Sequence, residues 1–259
     1  MPLEPYSEDE TAGIAIYHGD CREVLPTLTG GADAVVTDPP YGDTSLDWDQ
    51  PVKGWLDLVD TRQVWCFGSM RFWLEHGCDF RDDWTYAQEI VWEKHNGSSF
   101  HADRFKRVHE LAVHWYRGAW STLYRNTPVT LDANPKTVRR KHRPPHMGEI
   151  AGNRYQSVEG GPKLMRSVLQ VRSEHGRAVH PCQKPIGILT PLLGCSVPPG
   201  GLVLNPFMGS GSTLVAAKER GRRAIGIETD ERYCEIAAER LAQEVLDVEP
   251  APSTQEVAG

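Results

Sequence analysis

Leu202-Val203-Leu204-Asn205-Pro206-Phe207-Met208-Gly209-Ser210-Gly211-Ser212-Thr213 runs from an apolar triplet into a turn of small residues, and the elements on its C-terminal side decide the fold. Thr213 to Arg220 reads as a helix and Ala224-Ile225-Gly226-Ile227-Glu228 as a strand. Tyr233 to Leu246 then places Ile236, Ala237 and Leu241 on one helical face. Strand, turn, helix, strand, helix is the grammar of a mostly parallel sheet with helices on both faces. Gly209 and Gly211 permit positive φ and let a ligand lie against the backbone, while the helix beyond them offers free N–H groups to an anion. Such a loop is a weak signal alone, and a plain tight turn is the alternative reading. Glu228 strengthens the ligand reading, because an acid at the end of the next strand can take hydrogen bonds from both hydroxyls of a ribose. The loop is not G-x-G-x-x-G and Lys218 is too far along for a phosphate loop, so a nucleoside fits better than a dinucleotide or a nucleoside triphosphate.

Working outward, Ile14-Ala15-Ile16-Tyr17, Val64-Trp65-Cys66-Phe67, Glu89-Ile90-Val91-Trp92 and Leu111-Ala112-Val113-His114-Trp115 read as strands. So does Ala34-Val35-Val36-Thr37, which ends at Asp38-Pro39-Pro40-Tyr41; two prolines force the chain out of the sheet there. This tetrapeptide offers a carboxylate, a rigid turn with a carbonyl free to accept, and an aromatic plate. Those are what an extruded base with an exocyclic amine would need. A proline turn after a strand is the plainer alternative. His180-Pro181-Cys182-Gln183-Lys184-Pro185 leads into a helical pattern at Ile186, Leu189, Leu192 and Leu193, and Lys184 with the first helical turn would suit a carboxylate. His180 and Cys182 find no partner pair at ligand spacing, so no metal is expected. His95, His101, His109 and His114 are expected to pack or face solvent.

The 259 residues, 39% hydrophobic and 24% charged, suit an ordinary globular α/β chain. The six cysteines form no C-x-x-C pair, which favours reduced thiols in a cytoplasmic setting. No apolar run is long enough for a membrane span, and the first residues lack signal-peptide character. The net charge of −7 is unevenly spread: residues 117–177 hold twelve Lys and Arg against four Asp and Glu, leaving a net −15 for the rest. One basic section on an acidic body suggests a polyanionic partner met on one side, or else a solvated insertion. Periodicity fails over the same stretch, which reads as a functional insertion or small subdomain. Residues 1–12 and 247–259 read as flexible termini.

These motifs, in this order, resemble the amino-group (adenine-N6 or cytosine-N4) S-adenosylmethionine-dependent DNA methyltransferases of the β arrangement, from about Ile14 to Leu246. The resemblance implies a Rossmann-like α/β methyltransferase sheet with circularly permuted motif order. Its catalytic half would span residues 13–116 and its cofactor-binding half 178–246, with an inserted target-recognition region at 117–177. It implies that Asp38 and the Pro39 carbonyl, with Pro40 shaping the turn, bind the target amine and that Tyr41 stacks on the base. Phe207, Gly209 and Gly211, with Ser210, Ser212 and Thr213, would cradle the cofactor and Glu228 would hold its ribose. Asp20, beside Cys21 in His18-Gly19-Asp20-Cys21, would reach the cofactor adenine, and Gln183 and Lys184 would lie with Asp38 near its methionine end. Phe105-Lys106-Arg107-Val108-His109-Glu110 resembles the segment before the family's last core strand. The family has aspartate where Asn205 stands, which puts cofactor affinity at issue. Arg139, Arg140, Lys141 and Arg143 would hold the phosphates of double-stranded DNA. Adenine N6 is the expected target, with cytosine N4 or RNA as enzymatic alternatives and a silent DNA-binding protein of the same fold as the rival. A homodimer and a partner restriction endonuclease are left open.

Overall fold

The computed structural model describes residues 3–98, 103–139, 154–174, 176, 178–180 and 182–243. Its centre is a nine-stranded sheet built from β1 (Ser7–Asp9), β2 (Ile14–His18), β3 (Ala34–Thr37), β4 (Gln63–Gly68), β5 (Thr85–Ser98), β6 (Arg107–Tyr116), β11 (Val168–Gln170), β12 (Leu202–Asn205) and β13 (Arg223–Glu228). The spatial order is β1-β2-β13-β12-β3-β4-β6-β5-β11. β2, β13, β12, β3 and β4 are mutually parallel; β1 and the β5–β6 pair attach antiparallel.

Alternation along each strand divides two cores. Ile14, Ile16, Ala34, Val36, Trp65, Phe67 and Val203 face one side. There they meet α3 (Ile186–Ser196), α4 (Ser212–Glu219) and α5 (Glu231–Ala242) through Leu189, Leu193, Leu214 and Ala237. Val35, Val64, Cys66, Leu204 and Ile227 face the other side, against α1 (Cys21–Val24), α2 (Met70–His76) and the Trp55–Trp84 aromatics. This period of two is what parallel strands covered on both faces require. Leu193 and Leu214 are fully buried, so truncating either to alanine would cost ~2–5 kcal/mol.

Two expectations need correction. Residues 1–12 are not wholly a loose end: β1 pairs with β2, and Lys218 bridges Asp9 at 2.7 Å while also donating to the Leu241 carbonyl. The stretch 117–177, expected to lack clear elements, contains β7 (Val129–Ala133), β8 (Lys136–Arg139), β9 (Arg154–Ser157), β10 (Gly161–Leu164) and β11. They are three to five residues long and pair as β7–β10 and β8–β9, while β11 lies parallel on β5. Strands this short leave too few residues for an alternation to register. Arg140, Lys141, Arg143 and residues 247–259 lie outside the described residues, and of Arg139 only its place in β8 is described.

Candidate functional site

The parallel strands end along one edge of the sheet, and the chain reverses its winding between β12 and β3. Clefts of open α/β sheets form at such a switch point. Here a cleft of about 500 Å³ is lined by the residues that leave β2, β3, β12 and β13: Asp20 and Cys21, Asp38 to Tyr41, Pro206 and Phe207, and Glu228 to Asp230. Trp92, Lys94, Arg107, His109 and Glu110 close it from β5 and β6, and His180, Gln183 and Lys184 from the segment before α3.

One half of the cleft is a buried charge chain. The Tyr41 hydroxyl and the Lys184 ammonium both donate to Asp38, Lys184 lies 3.3 Å from Glu110, and Lys94 donates to Glu110. Burial pushes the Asp38 carboxyl upward, against the pull of Lys184 and with the repulsion of Glu110. Burial works the same way on Glu110, but Lys184 and Lys94 outweigh it and bring that carboxyl down to about 2. For Lys184, burial opposes the charged form, yet Asp38 and Glu110 raise its pKa, so it stays an ammonium. The turn after Asp38 is held by Asp49, which accepts from the backbone N–H groups of Tyr41, Gly42 and Thr44 and from the Thr44 hydroxyl at 2.7–2.9 Å.

The other half surrounds Glu228. Its carboxylate accepts from Gly209 N–H at 2.8 Å and Asp230 N–H at 2.9 Å. The Thr229 hydroxyl also donates to it, more weakly, at 3.3 Å. A carboxylate has about four acceptor positions, so one on Oε2 remains open for a ligand hydroxyl and a second opens if the exposed Thr229 hydroxyl turns away. Gly209 has φ +54°, and a Cβ there would approach only the His180 ring at 3.8 Å, leaving room for a ligand against the backbone. Phe207 stands edge-on to Trp55 at 5.4 Å, while Asp20 caps α1 and is held ionised by Arg22. These groups fit a nucleoside cofactor: an apolar ring beside the Glu228 carboxylate with a position open, and Asp20, whose oxygens are taken by the exposed Arg22 side chain, at the far end.

Eight of the residues expected around a cofactor line the cleft: Asp20, Cys21, Asp38, Gln183, Lys184, Phe207, Gly209 and Glu228. The other five lie behind its wall. Asn205 is buried, accepting from the Thr37 hydroxyl at 2.8 Å and Phe207 N–H at 3.1 Å and donating to Thr213 Oγ1 at 3.0 Å. The amide therefore ties β3, the loop and α4 together, and its neutrality is used in that tie. Ser210 and Ser212 accept from Arg240 of α5 at 3.1 and 3.3 Å. Gly211, at φ +78°, is required by packing, since a Cβ would stand 2.8 Å from that of Ala237.

Asp49, Glu110, Lys94 and Arg240 did not register individually from sequence. The signal for Glu110 was present, a charged residue leading directly into the apolar run Leu111-Ala112-Val113. Among the described residues no cluster of His, Cys, Asp or Glu is arranged to hold a metal ion, and no helix is long and apolar enough to cross a membrane.

Residues 32–239 match the N6/N4 methyltransferase family, described as DNA methylase. The chain belongs to this family. It is 26% identical to the type II methyltransferase M.HinfI of Haemophilus influenzae, over 93% of this chain and 71% of that protein. It is also 26% identical to M.ScaI of Streptomyces caespitosus, over 93% and 84%. Among solved structures, the M1.HpyAVI–SAM complex superposes with a TM-score of 0.59 at 25% identity, covering 88% of this chain and 99% of that one. The cytosine-N4-specific PvuII DNA methyltransferase reaches 0.62 at 14% identity, over 90% and 88%, a likeness of fold. The sheet is accordingly the Rossmann-like sheet of this family, with the Asp38 motif ahead of the glycine turn in the chain.

Proposed function

We propose that this DNA methylase transfers a methyl group from S-adenosylmethionine to the exocyclic amine of a base extruded from duplex DNA, adenine N6 being the target. One observation carries the reading. The Asp38-Pro39-Pro40-Tyr41 turn and the Gly209–Glu228 cradle face each other across a single cleft, where β3 and β12 are neighbours.

S-adenosylmethionine brings its methyl group already activated on a sulfonium, so alignment and exclusion of water are the tasks left to the protein. Glu228 would hold the ribose through its open Oε2 position, with the exposed Thr229 hydroxyl giving way to a second ribose hydroxyl. Asp20 would face the adenine, and the Phe207 ring and Gly209 backbone would bound the nucleoside. Gln183 and Lys184 flank the methionine end. Asp38 and the Pro39 carbonyl accept from the target amine and orient its lone pair, while Tyr41 stacks on the base. As the nitrogen gains positive charge, the Asp38 carboxylate stabilises it and then takes the released proton at Oδ1, where the Tyr41 hydroxyl already donates. Extrusion costs a few kcal/mol, which stacking in the cleft offsets. The recognition region is assigned to residues 117–177, where Arg139, Arg140, Lys141 and Arg143 hold phosphates. The aspartate-led motif favours adenine, although its acceptors suit either amine.

Two measurements test the reading. Asp38→Asn should lose transfer by at least ~100-fold while retaining S-adenosylmethionine binding by calorimetry, the range for a positioned acid–base group. Nucleoside mass spectrometry of DNA methylated by the protein should show N6-methyladenine. N4-methylcytosine instead would overturn the adenine assignment and keep amine transfer.

A further inference from the structure

Phe105 is the most exposed large apolar side chain among the described residues, at 102% of its reference area. Nothing packs over it, so folding does not explain it. It sits in the connection between β5 and β6, beside Arg104, Lys106 and Arg107. Arg107 lines the cleft and pairs at 3.0 Å with Asp43 of the opposite rim, which places the connection at the cleft mouth. Two residues of chain reach roughly 7 Å, so Phe105 stands just outside that mouth.

The charges there are opposed. The cleft itself is lined by Asp20, Asp38, Asp43, Asp49, Glu110, Glu228 and Asp230 against Lys94, Arg107 and Lys184, a net acidic interior that welcomes amines and hydroxyls but repels phosphates. The mouth carries three cations around one bare aromatic ring: Arg104 is paired with Asp103 at 2.9 Å, Arg107 with Asp43 at 3.0 Å, and Lys106 has no carboxylate partner among the described residues. A duplex set over the cleft would therefore meet cations at its backbone and an apolar plate at its stacked bases. Proteins that disturb base stacking use apolar wedges flanked by Arg and Lys in this way.

We propose that Phe105 is a DNA-inserting residue. Resting on the methyltransferase reading, it enters the space left in the stack when the target base swings into the cleft, while Lys106 and its arginine neighbours hold the adjoining phosphates. The occupant of this surface is duplex DNA at the modified site. Phe105 is a positioning residue, since it acts on the opened duplex and not on the reacting atoms.

The experiment uses the full chain and a duplex bearing a modified site first located by sequencing plasmid DNA methylated by the protein. Wild type, Phe105→Ala and Phe105→Leu are compared on the intact duplex and on one with an abasic site opposite the target base, where extrusion is already eased. Phe105→Ala should lower kcat/KM by about tenfold on the intact duplex and by less than about threefold on the eased one, with Phe105→Leu close to wild type. In parallel, 2-aminopurine at the target position should brighten with wild type and stay dim with Phe105→Ala, a readout of extrusion that needs no transfer. Equal losses on both duplexes would make Phe105 an ordinary contact and overturn the proposal, as would unchanged rates and fluorescence. A plasmid that gains no methylated base would sink the methyltransferase reading and the proposal with it, whereas equal losses on both duplexes sink the role of Phe105 alone. Full exposure of the side chain keeps both variants folded.

Discussion

Lys184 stands between two carboxylates, donating to Asp38 Oδ2 and lying 3.3 Å from Glu110 Oε2. Removing either neighbour of Asp38 should therefore move its titration in opposite directions. Asp38 must be ionised to accept from the amine, and its carboxyl is raised by burial and by Glu110 but held down by Lys184 and Tyr41. Glu110→Gln removes a negative neighbour, so the acid limb of kcat/KM should shift to lower pH. Lys184→Met removes the counter-charge, so the limb should shift to higher pH, with a loss of rate. Rate–pH profiles of both variants check this; shifts in the same direction would break the assignment.

Glu228 lines the cleft, accepts from two backbone N–H groups and the Thr229 hydroxyl, and keeps one acceptor position open on Oε2. Glu228→Ala should weaken S-adenosylmethionine binding by ~1–3 kcal/mol, the range for hydrogen bonds to a charged group. Calorimetry on protein shown to be folded is the measurement. An unchanged Kd would take Glu228 out of the cofactor site.

The two loop glycines should fail differently when changed. Gly211→Ala brings a Cβ to 2.8 Å from Ala237 at φ +78°, so α4 and α5 must part. Clash and strain together should cost ~2–4 kcal/mol. Gly209→Ala meets only the His180 ring at 3.8 Å and should cost about 1 kcal/mol from its positive φ alone. It would place a methyl group on the cleft wall, so its larger effect should be on cofactor affinity. Thermal melts paired with calorimetry separate the two.

The contrast between these glycines shows where sequence reading stops. Glu228 and Asp38 were legible because a strand end and its first loop residue are local: once the strands register, an acid there must face the cleft. Gly211 was legible as a glycine and misread as to cause, because the atom it avoids belongs to Ala237, twenty-six residues later on another helix. Asn205 illustrates the same limit. As a departure from the family's aspartate it pointed to the cofactor, yet its partners are Thr37 and Thr213, buried and behind the cleft wall. The Glu110–Lys94 pair depends on the β5–β6 register, which sequence pattern does not supply. The strands of 129–170 escaped because three to five residues carry no measurable period.

His114 lies buried flat against Trp65, ring centroids 4.3 Å apart at 10°, and neither ring nitrogen meets a hydrogen-bond partner among the described residues. Burial lowers its pKa from 6.5 to about 4. The unfolded chain thus takes up a proton below about pH 6.5 while the folded ring stays neutral. Stability from this group is intact at pH 7, falls as pH drops through that window, and loses nothing further below about 4. At 1.36 kcal/mol per pH unit the full loss is roughly 3 kcal/mol. His114→Phe keeps the stacked ring, removes the two unpartnered nitrogens and abolishes the titration. The variant should melt at or slightly above the wild-type temperature at pH 7 and several degrees above it at pH 5, at about 2–4 °C per kcal/mol for a chain of this size. His180 titrates over the same window in both proteins, so the difference between them isolates His114. Equal Tm differences at the two pH values would mean that the buried imidazole does not resist protonation.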